Sequence, residues 1–197
     1  MAERGLSIAH TTILRWVRRY TPEFDKRRSR FSAQAGRSWR VDETYVRVRG
    51  QWAYLYRAVD SSGKTVDFRL SPRRNVASAK AFFRKAIRVQ GRSPEKITLD
   101  GYAASHRAVR ELQQHGKLAD LKELRSSKYL NNLIEQDHRN PKSRLGAMLG
   151  LKSFASAAIT IRGVELMHRI RKGQFDLRAL GTQGQTPSEI WAAVLAA

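Results

Sequence analysis

The chain has no cysteine, which excludes disulfides, thiolate metal sites and a cysteine nucleophile. Any metal must be held by oxygen or imidazole, and the absence fits a reducing cytoplasm. Acidic residues are scarce, 17 against 38 Lys and Arg, giving a net charge of +21 over 197 residues. Such an excess points to a polyanionic partner, most commonly nucleic acid; a protein that is basic for ribosomal or chaperone packing is the plainer alternative. Long apolar runs are also missing. The most apolar segment, residues 154–170, is interrupted by Arg162, Glu165 and His168, and the N-terminus lacks the apolar core of a signal peptide. No segment reads as a basic amphipathic anchor. The expectation is a soluble, cytoplasmic protein with no membrane partner. Its length allows one good core and a small appendage.

Residues 9–20 form an amphipathic pattern, with Ile13, Val17 and Tyr20 on one stripe and Arg15, Arg18 and Arg19 away from it. Gly5-Leu6-Ser7 ahead of it can serve as the turn of a partial helix-turn-helix over residues 1–20. His10, Thr11 and Thr12 would then meet base edges or phosphates; an ordinary basic packing helix is the alternative. Residues 21–38 are charged, hold one proline and read as a basic linker that could track a DNA backbone. From Trp39 the pattern turns to strands: residues 39–48, an Arg49-Gly50 turn, Trp52 to Ala58, a second turn at residues 60–64, then Thr65 to Leu70. A helix follows with Val76, Ala79, Phe82, Phe83, Ala86 and Ile87 inward. Next come a buried strand (Lys96 to Leu99), a helix near 103–115, a strand near 118–124 and a helix around Glu135. The order β-β-β-α-β-α-β-α suits an α/β domain over residues 39–150 with a mixed sheet and flanking helices, as in the ribonuclease H-like fold. Residues 151–197 read as a C-terminal helical region, whose last helix starts at a Thr186-Pro187-Ser188-Glu189 capping box and should dock Trp191.

The chemistry is concentrated in three acids. Asp42 lies on the first strand, on a face shared with Thr44, Val46 and Val48, where a carboxylate is costly unless a cation joins it. Glu43, its neighbour, should point to the other face. Asp100 ends a buried strand just before Gly101, at the edge where open α/β sheets place ligands; alone, an aspartate before glycine is more often a turn residue than a metal ligand. Read as a helix, residues 131–142 place Glu135, His138, Arg139 and Lys142 at i, i+3, i+4 and i+7, on one face. One carboxylate beside several cations is an odd solvated face, but it could hold a metal ion and a phosphate side by side. Arg139, Lys142 and Arg144 could equally be no more than a solvated basic face. Asp60 and Asp67 read as turn and strand-surface residues. Phosphodiester cleavage and strand transfer need an activated oxygen, a stabilised leaving oxygen and charge neutralisation, which two divalent ions supply together. Two or three carboxylates from different elements suffice to hold such ions.

The segments Trp39 to Asp60 (WRVDETYVRVRGQWAYLYRAVD), Tyr129 to Arg139 (YLNNLIEQDHR) and Met167 to Phe175 (MHRIRKGQF) resemble the insertion-sequence-six family of bacterial DDE transposases. The 34 residues between Asp100 and Glu135 fit that family as well. The resemblance implies a ribonuclease H-like fold and Mg²⁺ or Mn²⁺, two ions, on a triad of Asp42, Asp100 and Glu135. Lys142 matches the family's basic residue seven positions after the glutamate. It also implies DNA cleavage and transfer of 3′-hydroxyl ends into a target, forming cointegrates. The DNA partners would be the terminal inverted repeats and the target, contacted by His10, Thr11, Thr12, Arg15, Arg18, Arg19, His138, Arg139 and Arg144. Two element ends must meet, so a homodimer or higher oligomer on nucleoid DNA is expected. Two departures from the family pattern stand out: the chain begins inside the helix-turn-helix, and Pro141 precedes Lys142 where an aliphatic residue is usual. A catalytically silent, DNA-binding remnant of a transposase is the alternative reading.

Overall fold

The structure, a computed structural model, describes residues 10–28, 31–127, 134, 151–176, 178 and 186–196. They fall into two units, one contiguous (residues 34–154) and one assembled from both ends of the chain (up to 33 and from 155).

The contiguous unit is built on β1 (Ser38–Val48), β2 (Gln51–Asp60) and β3 (Thr65–Ser71), followed by α2 (Val76–Gln90), β4 (Lys96–Leu99), α3 (Ala103–Gln114) and β5 (Glu123–Ser126). The five strands lie in the order β3-β2-β1-β4-β5. The first three form an antiparallel meander, while β4 runs parallel to β1 and β5 parallel to β4. A meander extended by two parallel strands through helical crossovers is the ribonuclease H-like arrangement that the element order predicts. The first hairpin closes with Arg49 and Gly50, both at positive φ (50° and 78°), between the paired Val48 and Gln51. That is the mirror-image two-residue turn whose twist matches the strands. The second turn is organised by Asp60, whose Oδ1 accepts from the backbone N–H of Ser62 and of Lys64, both at 2.9 Å. Its Oδ2 accepts from Gly36 N–H at 2.7 Å, tying the chain before β1 to the same carboxylate.

One sheet face packs on α2 and α3. Trp39, Val41, Tyr56, Ala58, Ile97 and Leu99 meet Phe82, Phe83, Ala86, Val109 and Leu112 in a continuous core. Helix α2 presents the face that its 3.6-residue pattern predicts: Ala79, Phe82, Phe83 and Ala86 are buried, and Val76 and Ile87 pack at the margin. Its ends are conventional, with the Asn75 side chain accepting from Ser78 N–H and Gly91 in the left-handed conformation.

Three details depart from expectation. The last strand is at Glu123–Ser126, later than residues 118–124. Residues 115–120 form turns with Gly116 at φ +66°, so Leu118 is buried as a turn side chain. Asp67 is buried rather than on the surface, and its Oδ1 takes a hydrogen bond from Lys85 Nζ at 3.0 Å. A long basic side chain can fold over a strand carboxylate in a way that alternation does not reveal. Residues 21–28, read as linker, continue a helix.

That helix is α1 (His10–Arg28), which belongs to the second unit with α4 (Phe154–Arg171) and α5 (Pro187–Ala196). It runs through Pro22 because its later half carries the anchors: Thr21 and Phe24 are buried. Phe24 stacks on Trp191 (centroids 4.7 Å apart) and meets Phe175 edge-on at 5.7 Å. Leu166, Ile170, Ile190 and Val194 complete this core. The buried stripe is thus centred later than the sequence pattern suggests, and Tyr20 is 39% exposed. Glycine at 163 admits the close approach of α1, since a Cβ there would sit 3.2 Å from Val17 Cγ1. Thr186 and Glu189 form the expected capping box, at 3.3 and 3.1 Å.

Candidate active site

Pairing between β1 and β4 places two of the candidate acids. The parallel register matches Ser38 with Lys96, Trp39 with Ile97 and Arg40 with Thr98. Continued two residues further, that register brings Asp42 level with Asp100, just past the end of β4. Asp42 lies on a strand in the middle of the sheet, half-buried, opposite the buried Arg57 of β2. Alternation puts it on the face away from Val41, which is in the α2–α3 core. Asp100 is where the chain leaves the sheet. Its Oδ1 accepts from Tyr102 N–H at 3.2 Å, and the Nε2 of His106 lies 2.8 Å from its carbonyl oxygen. The turn reading and the site reading of Asp100 are therefore compatible: the turn fixes the carboxylate at the sheet's edge.

Glu43 takes the opposite face, as parity requires, and is buried. Arg74, from the loop between β3 and α2, donates from Nε to Glu43 Oε2 at 2.6 Å, and Ser105 at the start of α3 donates to Oε1. Burial pushes the Glu43 carboxyl above the usual glutamate range, and these two donors oppose that shift. Arg74 does more than pair with Glu43. Its Nη1 donates to the Tyr45 hydroxyl at 2.7 Å, its guanidinium lies 3.6 Å from the centroid of Tyr102, and its Nη2 is 4.0 Å from Asp100 Oδ2. The Tyr102 hydroxyl donates back to the Arg74 carbonyl at 2.9 Å. One cation thus links β1, the β3–α2 loop and the segment after β4, all around Asp100. Sequence reasoning did not single out Arg74, Tyr102 or Ser105. The one available signal was Glu43, an acid predicted to face the core side and so in need of a cation.

The other expected site residues separate into two groups. Glu135, His138, Arg139, Lys142 and Arg144 lie outside the described residues; Ile134, just before Glu135, is helical and buried. His10, Thr11, Thr12, Arg15, Arg18 and Arg19 lie on α1, in the other unit. Arg15, Arg18 and Arg19 are exposed, although Arg18 also donates to Ser156 Oγ at 2.8 Å. Among the described residues no three His, Asp or Glu gather as a metal-binding set. No described helix is long and apolar enough to cross a membrane.

Residues 36–174 match the DDE domain of the IS240-type transposases. The chain belongs to the DDE transposases. The DDE match spans β1 to β5 and both acids placed level by the β1–β4 register. Among curated relatives, the transposase of the insertion sequence-like element IS431mec of Staphylococcus aureus is 36% identical over 187 residues, covering 95% of this chain and 80% of the relative. The transposase of insertion sequence IS257 in transposon Tn4003, also from Staphylococcus aureus, is 36% identical over 184 residues, covering 93% and 79%. These matches agree with the resemblance to the insertion-sequence-six family. Among solved structures, the catalytic core domain of BIV integrase superposes with a TM-score of 0.49 at 18% identity, covering 67% of this chain and 84% of that one. As a DDE transposase the chain is a polynucleotidyl transferase of an insertion sequence, in a family that depends on divalent metal and acts on DNA.

Proposed function

We propose that the sheet unit cleaves DNA at the ends of an insertion sequence and transfers the resulting 3′-hydroxyls into target DNA, with Asp42, Asp100 and Glu135 as the ligating acids. The observation that supports this reading is the β1–β4 register, whose continuation would bring Asp42 level with Asp100 inside the DDE match. The donor set fits Mg²⁺ or Mn²⁺: carboxylate oxygens from separate elements, without sulfur. Asp42 and Asp100 would hold such ions with Glu135, and two of them, when bound, would activate the attacking oxygen and neutralise the leaving one. The chain's own contribution is placement. The Asx turn fixes Asp100, and Arg74 keeps positive charge beside it where a phosphate would lie. Lys142, seven positions after Glu135 in sequence, would supply a cation to the transferred phosphate. The exposed Arg15, Arg18 and Arg19 of α1, with His10, Thr11 and Thr12, would grip element ends, and His138, Arg139 and Arg144 would hold backbone phosphates. Joining two ends in one event calls for at least two copies of the chain.

The test is strand transfer by purified protein with Mg²⁺ or Mn²⁺, using pre-cut element ends and a supercoiled target. Asp42→Asn and Asp100→Asn should each lower joining by more than about a hundredfold, beyond the ten- to hundredfold cost of losing a group that only supports a ligand. DNA binding in EDTA should be unchanged. Joining by Asp100→Asn at close to the wild-type rate would remove Asp100 from the site.

A further inference from the structure

The outer end of the β1–β2 hairpin carries a group of large aromatic side chains left in water. Trp52 is 58% and Tyr45 50% exposed, the two largest exposures among the described large hydrophobic residues. The register pairs Arg47 with Trp52 and Tyr45 with Tyr54, so the rings and the guanidinium share one face of the hairpin. Tyr45 meets Trp52 at 6.0 Å and Tyr54 at 5.4 Å, both edge-on, which leaves ring faces uncovered. Arg47 lies 5.6 Å from the Trp52 centroid and Arg74 lies 5.4 Å from that of Tyr45. Cross-strand pairing accounts for the contacts between these rings. It does not account for so much aromatic surface facing solvent at the end of the hairpin.

We infer that this face is a stacking platform for an unpaired base of the DNA substrate, beside the reacting phosphodiester; the inference rests on the active-site reading given above. Two observations select DNA as the occupant. The aromatic faces are bracketed by Arg47 and Arg74 in a chain of net charge +21, and aromatic rings between cations are the recognition chemistry of unpaired nucleotides. One cation links the platform to the site: Tyr45, on the sheet face opposite Asp42, is hydrogen-bonded to Arg74, and Arg74 reaches past the end of β4 to 4.0 Å from Asp100. A strand whose phosphate lies at Asp100 would therefore find ring faces within a nucleotide or two. A stacked base tolerates any sequence, so the platform would hold the strand near its reacting end without reading it.

The experiment is equilibrium binding in EDTA at fixed salt to three probes: a blunt duplex, the same duplex with a short 3′ overhang, and that overhang made abasic. Wild-type protein should prefer the overhang to both others by about five- to a hundredfold, the range that one stacked base gives. Trp52→Ala should lose that preference while binding the blunt duplex as before, and Trp52→Phe should keep most of it. Equal binding of abasic and normal overhangs by the wild type would assign the preference to phosphates and overturn the inference. So would a Trp52→Ala protein that binds all three probes unchanged, or weakens on all three alike. A Trp52→Ala protein with intact DNA binding but a changed oligomeric state would make this face a contact between copies, overturning it as well. Because no metal is present, Asp100→Asn should retain the overhang preference. Failure of the platform and failure of the metal site are thereby separated.

Discussion

Glu43 illustrates how one buried charge constrains its neighbours. Its carboxylate is out of water and satisfied by Arg74 and Ser105. Removing the cation leaves a buried acid to neutralise or unfold around. Arg74→Met is therefore expected to lower stability by about 2 kcal/mol, less than for a fully buried pair because Arg74 is partly exposed. Adding Glu43→Gln to Arg74→Met should restore much of the loss, and denaturant unfolding of the four proteins in the cycle would show it. A cycle with no coupling would mean that Arg74 acts through Tyr45 and Tyr102 and not through Glu43. At this scale the sequence is uneven in what it discloses. Asp42 and Asp100 stand out because carboxylates in apolar runs are costly and therefore conspicuous. Arg74 does not, being one of 38 basic residues whose partner arrives from 31 positions away. Tyr45 and Trp52 read as ordinary strand alternation, since alternation reports a face and not whether anything covers it.

Among the elements, α1 separates local propensity from tertiary packing. Proline in a helix interior removes a hydrogen bond and costs about 3 kcal/mol, which is why residues beyond Tyr20 read as linker. The helix persists because Thr21 and Phe24 are buried against α4 and α5, contacts that no local pattern contains. Pro22→Ala should accordingly stabilise this unit, by up to about 3 kcal/mol, with a higher denaturant midpoint as the readout. The strands were legible because the meander's turns carry strong signals, Arg49-Gly50 and Asp60 to Gly63, and because alternation fixes register wherever one face is buried. The last strand was misplaced for the converse reason. Leu118 is buried by a turn, and burial without period does not distinguish the two.

For the whole molecule, charge sets how it meets solvent and DNA. Affinity for duplex should fall linearly in log–log form with salt, at about 0.9 per phosphate contacted, whatever the sequence. Cations from neighbouring elements also hold individual surface acids down. Glu111, on α3, is held to about 2 by hydrogen bonds from Lys80 of α2 and from Arg107. A carboxyl depressed on folding contributes stability above its unfolded value, near 4.5, and loses it as pH falls toward the folded one. Glu111→Gln should thus be less stable than wild type at pH 7 and indistinguishable from it near pH 2, as acid titration of the unfolding midpoint would reveal.

The chain's division has a consequence for its birth. The sheet unit is a contiguous stretch, whereas the helical unit takes its parts from both ends. On the ribosome, α1 emerges before the sheet unit yet must wait until after it, because Trp191 and Val194, which pack with Phe24, follow the sheet in the chain. A nascent chain arrested before α5 should already protect its sheet from protease while α1 remains open to attack. A helix made ahead of the sheet then finds its shelter only behind it.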